Sequence, residues 1–309
     1  MQYRDLGKTG LKVSVLSFGA SSLGGVFRAI DEAEGIRTVH TAIDLGINFI
    51  DVSPYYGLTK AETVLGKALR EIPRDAYILA TKVGRYGDAE FDFSASRVVA
   101  SVDESLARLG IEPIDVIQCH DIEFGSLDQI VGETIPALRK LQEQGKARFI
   151  GITGYPLKIF RYVLERTEVD TVLSYCHHTL YDTTLTTLIP TLKQKQVGII
   201  NASPLGMGLL TDRGTPDWHP AKDEIKQTCA RAAAYCRSRG VDIAQLAIQF
   251  TLANPDLSTT LVGTANPANL KKNVRWLEAP IDHELLAEVQ AILAPIRDRT
   301  WPSGRPENN

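Results

Sequence analysis

The chain has 309 residues, of which 44% are hydrophobic and 23% charged, enough apolar surface for a large core and unlike a disordered protein. Its 34 basic and 37 acidic residues are interspersed and give a formal charge of -3, so there is no electrostatic footprint for nucleic acid or an anionic membrane. No run of about 18 apolar residues occurs, and the opening MQYRDLGKTG lacks the pattern of a secretory signal, so a soluble cytoplasmic protein is expected.

In chain order, YRDLGKTGLKVS reads as a small hairpin, followed by strand candidates at 13–19, 47–53, 76–83, 114–120, 147–153, 171–177, 197–203 and 259–264. Between them lie amphipathic patterns at Glu32 to Leu45, Ala61 to Leu69, Ala95 to Leu109, Leu127 to Gln144, Pro156 to Glu165, Leu185 to Lys195 and Ile243 to Leu252. Gly46, Gly110 and Gly145 supply helix stops. Apolar strands alternating with helices imply a parallel sheet covered on its outer face, and eight such units imply a closed (β/α)8 TIM barrel. The interval from Gly206 to Ser258 is longer than one helix needs, which predicts a long loop, TDRGTPDWHP, and an extra helix at the catalytic end. A further helix, His283 to Ile296, and a tail ending WPSGRPENN complete one barrel domain over 1–309, with no internal repeat or linker.

Asp51, Lys82 and His120 each close an apolar strand candidate, and Tyr56 follows one by a short loop. In a parallel barrel these side chains converge at the carboxyl ends of the strands, where active sites form. A phenol has an ordinary pKa of about 10, so Tyr56 needs a cation such as Lys82, held by Asp51, to exchange protons near neutrality. His120 can orient a substrate oxygen or share its proton, which makes the group suitable for proton transfer accompanying hydride transfer. Cys119, Cys176, Cys229 and Cys236 form no CxxC pair, and His177 and His178 lack company for a metal, so neither a disulfide frame nor a metal site is expected. Asn201-Ala202-Ser203 matches a glycosylation pattern but falls inside an expected buried strand.

The GKTGLKVS opening, Asp51 with Tyr56-Gly57, Thr81-Lys82, Asp115 with His120, and Ser203-Pro204-Leu205 with Gly206 and Gly208 occur in the order found in aldo-keto reductases, which the chain resembles over almost all its length. The resemblance implies Tyr56 as general acid/base, Lys82 as the group that tunes it, Asp51 as the partner of Lys82, and His120 as the positioner of the reacting oxygen. No GxGxxG or GxxxxGK[ST] motif is present. The resemblance instead places a nicotinamide dinucleotide across the barrel mouth, its pyrophosphate on the amides of Ser203, Leu205, Gly206 and Gly208. The adenosine end would meet Gly263, Thr264, Asn266, Asn269 and Asn273.

NADPH-dependent members often carry basic residues where this chain has Gly263, Asn266 or Asn269, which favours NAD because Asn cannot neutralise a 2'-phosphate. Lys271, Lys272 and Arg275 lie nearby in sequence. At the nicotinamide end, Thr153 and Ser174 stand where the family commonly places Ser and Gln, and Ala202 replaces a stacking aromatic.

A narrower resemblance, to members that oxidise free sugars, rests on CHDIEFGSLDQIV, GKARFIGITG, LSYCH, ASPLGMGLLT, PDWHPA and TWPSG. It implies NAD-linked oxidation of a small-molecule sugar at C1, L-galactose to its 1,4-lactone first, with L-fucose, D-arabinose and pyridoxal as alternatives. Tyr56, His120, Arg85, Tyr86, Asp121 and His178 are the candidate sugar contacts, with Phe91 and Phe93 as an apolar wall. NADPH-dependent carbonyl reduction is a second reading. A non-catalytic nucleotide-binding regulatory subunit is a third, against which the complete set of four polar residues argues. Whether the chain is a monomer or a homo-oligomer is not encoded in any of these features.

Overall fold

A computed structural model describes residues 1–26 and 29–309. Two short strands, β1 (Tyr3–Asp5) and β2 (Lys12–Ser14), pair antiparallel as the expected hairpin. Eight parallel strands then close a barrel: β3 (Leu16–Gly19), β4 (Phe49–Asp51), β5 (Ile78–Val83), β6 (Ile114–Cys119), β7 (Ala147–Gly154), β8 (Thr171–Tyr175), β9 (Gly198–Ala202) and β10 (Thr259–Gly263). β10 pairs with both β3 and β9, so no open edge is left. The expected first strand, 13–19, is divided at Val15, whose amide bonds to Gln2 O at 3.0 Å. Val13 and Ser14 therefore belong to the hairpin and only Leu16–Gly19 to the barrel.

The outer helices are α1 (Glu32–Asp44), α2 (Lys60–Leu69), α3 (Ala95–Leu109), α4 (Leu127–Gln129), α5 (Ile135–Glu143), α6 (Leu157–Leu164), α7 (Ile189–Gln194), α8 (Asp223–Ser238), α9 (Ile243–Leu252), α10 (Pro267–Glu278) and α11 (His283–Leu293). The expected helix from Leu127 is widened into a π-turn over Ile130–Thr134, just before Pro136. Proline has no N–H to donate and crowds the carbonyl four residues back, which accounts for the widening. Helix α8 packs with α9 and α11 in a lateral apolar cluster through Ile225, Cys229 and Ala232, so the loop before it, rather than the helix, reaches the barrel mouth.

Inside the barrel, Phe49, Ala80, Val116, Leu173, Ile200 and Leu261 form one apolar layer, closed below by Leu6, Leu11 and Val13 of the hairpin. Side chains on a strand alternate in direction, so residues two positions further on face the same axis at the carboxyl end. That rule sends Asp51, Lys82, Gln118, Tyr175, Ala202 and Gly263 to one opening. Thr81, pointing the other way, donates to the buried Glu62 of α2 at 2.6 Å, and Arg108 also holds that carboxylate at 2.7 Å. The strand bearing Lys82 is thus anchored from behind.

Among the described residues, no helix is long and apolar enough to cross a membrane. Asn201 is fully buried in β9, and the four cysteines are free and buried.

Candidate functional site at the barrel mouth

The four residues from separate strands and loops meet at the carboxyl end of the barrel. The Lys82 ammonium donates to Asp51 Oδ1, to Val52 O at 2.9 Å and to Tyr56 Oη at 3.2 Å. Gln118 Nε2 donates to the second Asp51 oxygen at 2.8 Å, so the buried carboxylate is held from two sides. The Tyr56 and His120 rings meet edge to face, 5.6 Å apart, and His120 Nδ1 lies 3.0 Å from Ser53 Oγ. Gly57, at φ 63°, brings the loop against Gly24, whose carbonyl oxygen would lie 2.1 Å from any Cβ added there. A glycine after Tyr56 is therefore a packing requirement.

Burial raises the Tyr56 phenol above its ordinary value, and the Lys82 charge pulls it back. Burial works against the Lys82 ammonium too, but Asp51 and Tyr56 outweigh it and hold that group above the ordinary lysine range. Burial lowers His120 to about 3, so its ring is neutral across the physiological range. A neutral imidazole positions an oxygen and is no reservoir of protons there.

Beside this cluster lies a cavity of about 530 Å³. Arg85 Nη1 donates to Asp121 Oδ2 at 2.5 Å, and the guanidinium sits 3.8 Å from the Tyr55 ring centroid. Asp121 adopts φ 50°, and its amide donates to Thr153 Oγ1 at 3.0 Å. The far wall comes from Phe124, Tyr175, Trp218 and the tail residues Trp301 to Gly304. Trp301 stacks on Tyr155 at 5.0 Å and meets His219 edge-on at 5.1 Å.

The tail is clasped by Glu123. Its Oε1 lies 3.0 Å from Ser303 Oγ and accepts from the Tyr155 amide at 3.2 Å, while its backbone oxygen accepts from Asn308 Nδ2 at 2.7 Å and from the Arg305 amide at 3.0 Å. Burial, reinforced by Asp121, pushes the Glu123 carboxyl up to about 8.

From Tyr56 a groove continues over Ala202, Ser203, Leu205, Met207 and Gly208, then to Gly263, Thr264, Asn269 and Asn273. Gly263 lies close against its neighbours here: a Cβ on it would come within 3.2 Å of Gly19 O and 3.3 Å of Ser22 Oγ. Small residues and hydroxyls thus keep open an extended channel that leads to the polar cluster. The residues present fit a nicotinamide dinucleotide.

Some expected contacts lie elsewhere. Tyr86 is buried, accepts from the Gly84 amide at 3.1 Å and is covered by Arg97, so it does not reach the cavity. His178 is buried and stacks on Phe250 at 5.4 Å. Ser174 alternates with the inward Leu173 and faces the outside of the sheet, out of reach of the groove. Phe93 belongs to the core cluster, whereas Phe91 stacks on Phe124 at 4.4 Å behind the cavity wall. The side chain of Asn266 caps α10 by accepting from Ala268 N at 2.8 Å. The amides of Gly206 and Gly208 donate inside their own turn, to Ser203 O at 2.9 Å and Leu205 O at 3.2 Å, so that turn offers a shape rather than those two donors.

Gln118, Ser53, Glu123 and the clasp of the tail by Glu123 were not anticipated, whereas Trp218 lies in the loop expected at the catalytic end. Gln118 alone had a usable signal: it lies two residues before His120 on one strand and so shares its face.

An eight-stranded parallel barrel with a polar cavity and a long groove at its carboxyl end has the architecture of a (β/α)8 enzyme. Residues 15–294 match the Aldo/keto reductase family, and the chain belongs to that family of nicotinamide-dependent oxidoreductases. It is 53% identical to an L-galactose dehydrogenase of Arabidopsis thaliana, covering 100% of this chain and 99% of that one. It is 36% identical to a D-arabinose 1-dehydrogenase of Saccharomyces cerevisiae over 78% of this chain and 76% of the other. Among solved structures, an aldo-keto reductase from Bacillus halodurans in its holo form superposes with a TM-score of 0.77 at 28% identity, covering 94% of this chain and 96% of that one.

Proposed function

We propose that the protein oxidises a free aldose at C1 to its lactone, L-galactose to L-galactono-1,4-lactone, with NAD. The observation that carries this reading is the contact of Tyr56 Oη with a buried, Asp51-anchored ammonium at the floor of a cavity large enough for a sugar. In the oxidation, the lactol O1–H proton passes to the Tyr56 oxygen in its ionised form as the C1–H bond breaks and the C1=O bond forms. The nicotinamide of NAD supplies the hydride acceptor. Lys82 stabilises the phenolate, Asp51 and Gln118 fix Lys82, and neutral His120 orients O1 through a hydrogen bond.

Arg85 and Asp121 neutralise each other in the cavity wall, which suits an uncharged polyol better than a sugar phosphate. The likeness over the whole chain to the Arabidopsis protein supports L-galactose as the sugar. Uncharged Gly263 and Asn269 at the adenosine end support NAD over NADP. Tyr56 to Thr153 at one end and Ser203 to Asn273 at the other would hold the two ligands.

Initial rates with L-galactose, L-fucose, D-arabinose and pyridoxal, each with NAD and NADP, test the reading. The highest kcat/KM is expected for L-galactose with NAD. Turnover of pyridoxal alone would overturn the sugar assignment, and a strong preference for NADP would overturn the cofactor assignment.

A further inference from the structure

The adenosine end of the groove lies between α9 and α10, where Lys272 and Arg213 are cations of its lining. The lysine ammonium is already engaged: Lys272 Nζ donates to Asp242 Oδ2 at 2.7 Å and lies 4.8 Å from the Trp276 ring centroid. Asp242 Oδ1 accepts from the Ala244 amide at 2.9 Å and so caps α9. Both side chains line the groove with Asn269 and Asn273. One carboxylate therefore occupies both a lysine and a helix N-terminus that would attract an anion, while Asp212 and Arg213 line the same groove.

We propose that Asp242 is the residue that selects NAD over NADP, by holding Lys272 and by placing a negative charge where a 2'-phosphate would arrive. The proposal rests on the NAD reading above and gives it a determinant outside the β10–α10 loop. A phosphate monoester carries nearly two negative charges at neutral pH, so it meets repulsion from Asp242 and must compete for Lys272. A ribose 2'-hydroxyl meets neither obstacle. The pair is partly open to solvent, with side-chain exposures of 31% for Asp242 and 46% for Lys272, so the discrimination is screened by salt and moderate in size.

Asp242→Asn tests this without removing the cap, because asparagine caps helices as well as aspartate does. Dissociation constants would be measured by titration calorimetry for NAD, NADP, 5'-AMP and adenosine 2',5'-bisphosphate, with thermal melting as a check on the fold. NADP and the 2',5'-bisphosphate are expected to bind about tenfold more tightly than to the wild type, with NAD and 5'-AMP changed by less than about threefold. Adding Lys272→Met should remove the part of the gain that a freed lysine supplies and leave the part that comes from lost repulsion. An unchanged NADP-to-NAD ratio in Asp242→Asn would overturn the proposal, as would a gain that Lys272→Met leaves undiminished. Wild-type protein that binds NADP more tightly than NAD would instead overturn the cofactor reading itself.

Discussion

The two ends of the mouth handle charge in opposite ways. At the reaction end, Lys82 and Asp51 are sealed from water, with side-chain exposures of 1% and 4%, and every oxygen of Asp51 has a partner. At the adenosine end, Asp242 and Lys272 form a similar pair in contact with solvent. A buried pair cannot lose one member without stranding the other, whereas an exposed pair can be rewired at modest cost. On the proposed reading, the first arrangement would fix a proton's path and the second would adjust a preference.

Tyr56→Phe presses hardest on that contrast. It should lower kcat about 10²–10⁴-fold while leaving NAD affinity within about twofold, measured by steady-state rates and calorimetry. Full activity in this variant would mean that the buried cluster is structural.

Lys82→Met should destabilise the fold by about 3–5 kcal/mol in denaturant titration, because Asp51 loses its counter-ion. Its remaining activity should also move to higher pH. The proposed oxidation needs the Tyr56 phenolate; burial raises that phenol and Lys82 opposes the rise, so without Lys82 more alkaline solution would be required. An unshifted pH profile would break the link between the two residues.

Glu123→Gln examines a buried carboxyl that burial keeps protonated. Native Glu123 keeps its proton up to about 8 whereas the unfolded chain releases it in the ordinary carboxylate range, so wild-type stability should fall as pH rises between those limits and level off above them. Glutamine has no such proton, and the variant should lose about 1–3 kcal/mol less than the wild type between pH 6 and pH 9. Equal losses would place the native carboxyl in its ordinary range. Trp301→Ala should have the mildest effect, raising KM for the sugar several-fold with little change in kcat, because Trp301 forms wall rather than touching the reacting oxygen.

What could be read from the residues divides along the same line. The barrel and the positions of Asp51, Lys82 and His120 follow from local rules: apolar runs of strand length, alternation along each strand and closure after eight units. Tyr56 also arrived at the mouth, through a loop constrained by Gly57 against Gly24.

The far wall obeys no local rule. Trp301 lies far along the chain from Tyr155, and Glu123 recognises the tail through a buried carboxyl and a backbone oxygen, neither of which leaves a spacing pattern. Tyr86 and His178 looked like sugar contacts because they stand near the mouth in sequence, yet packing against Arg97 and Phe250 turns them away. The pairing of Lys272 with Asp242 joins two helices separated by β10, so the fate of that lysine required three dimensions.

The most direct test of sugar oxidation at C1 uses L-galactose deuterated at that carbon together with NAD. One deuterium should appear in the reduced nicotinamide for each lactone formed. Unlabelled NADH, or no NADH with L-galactose at all, would contradict the proposed reaction.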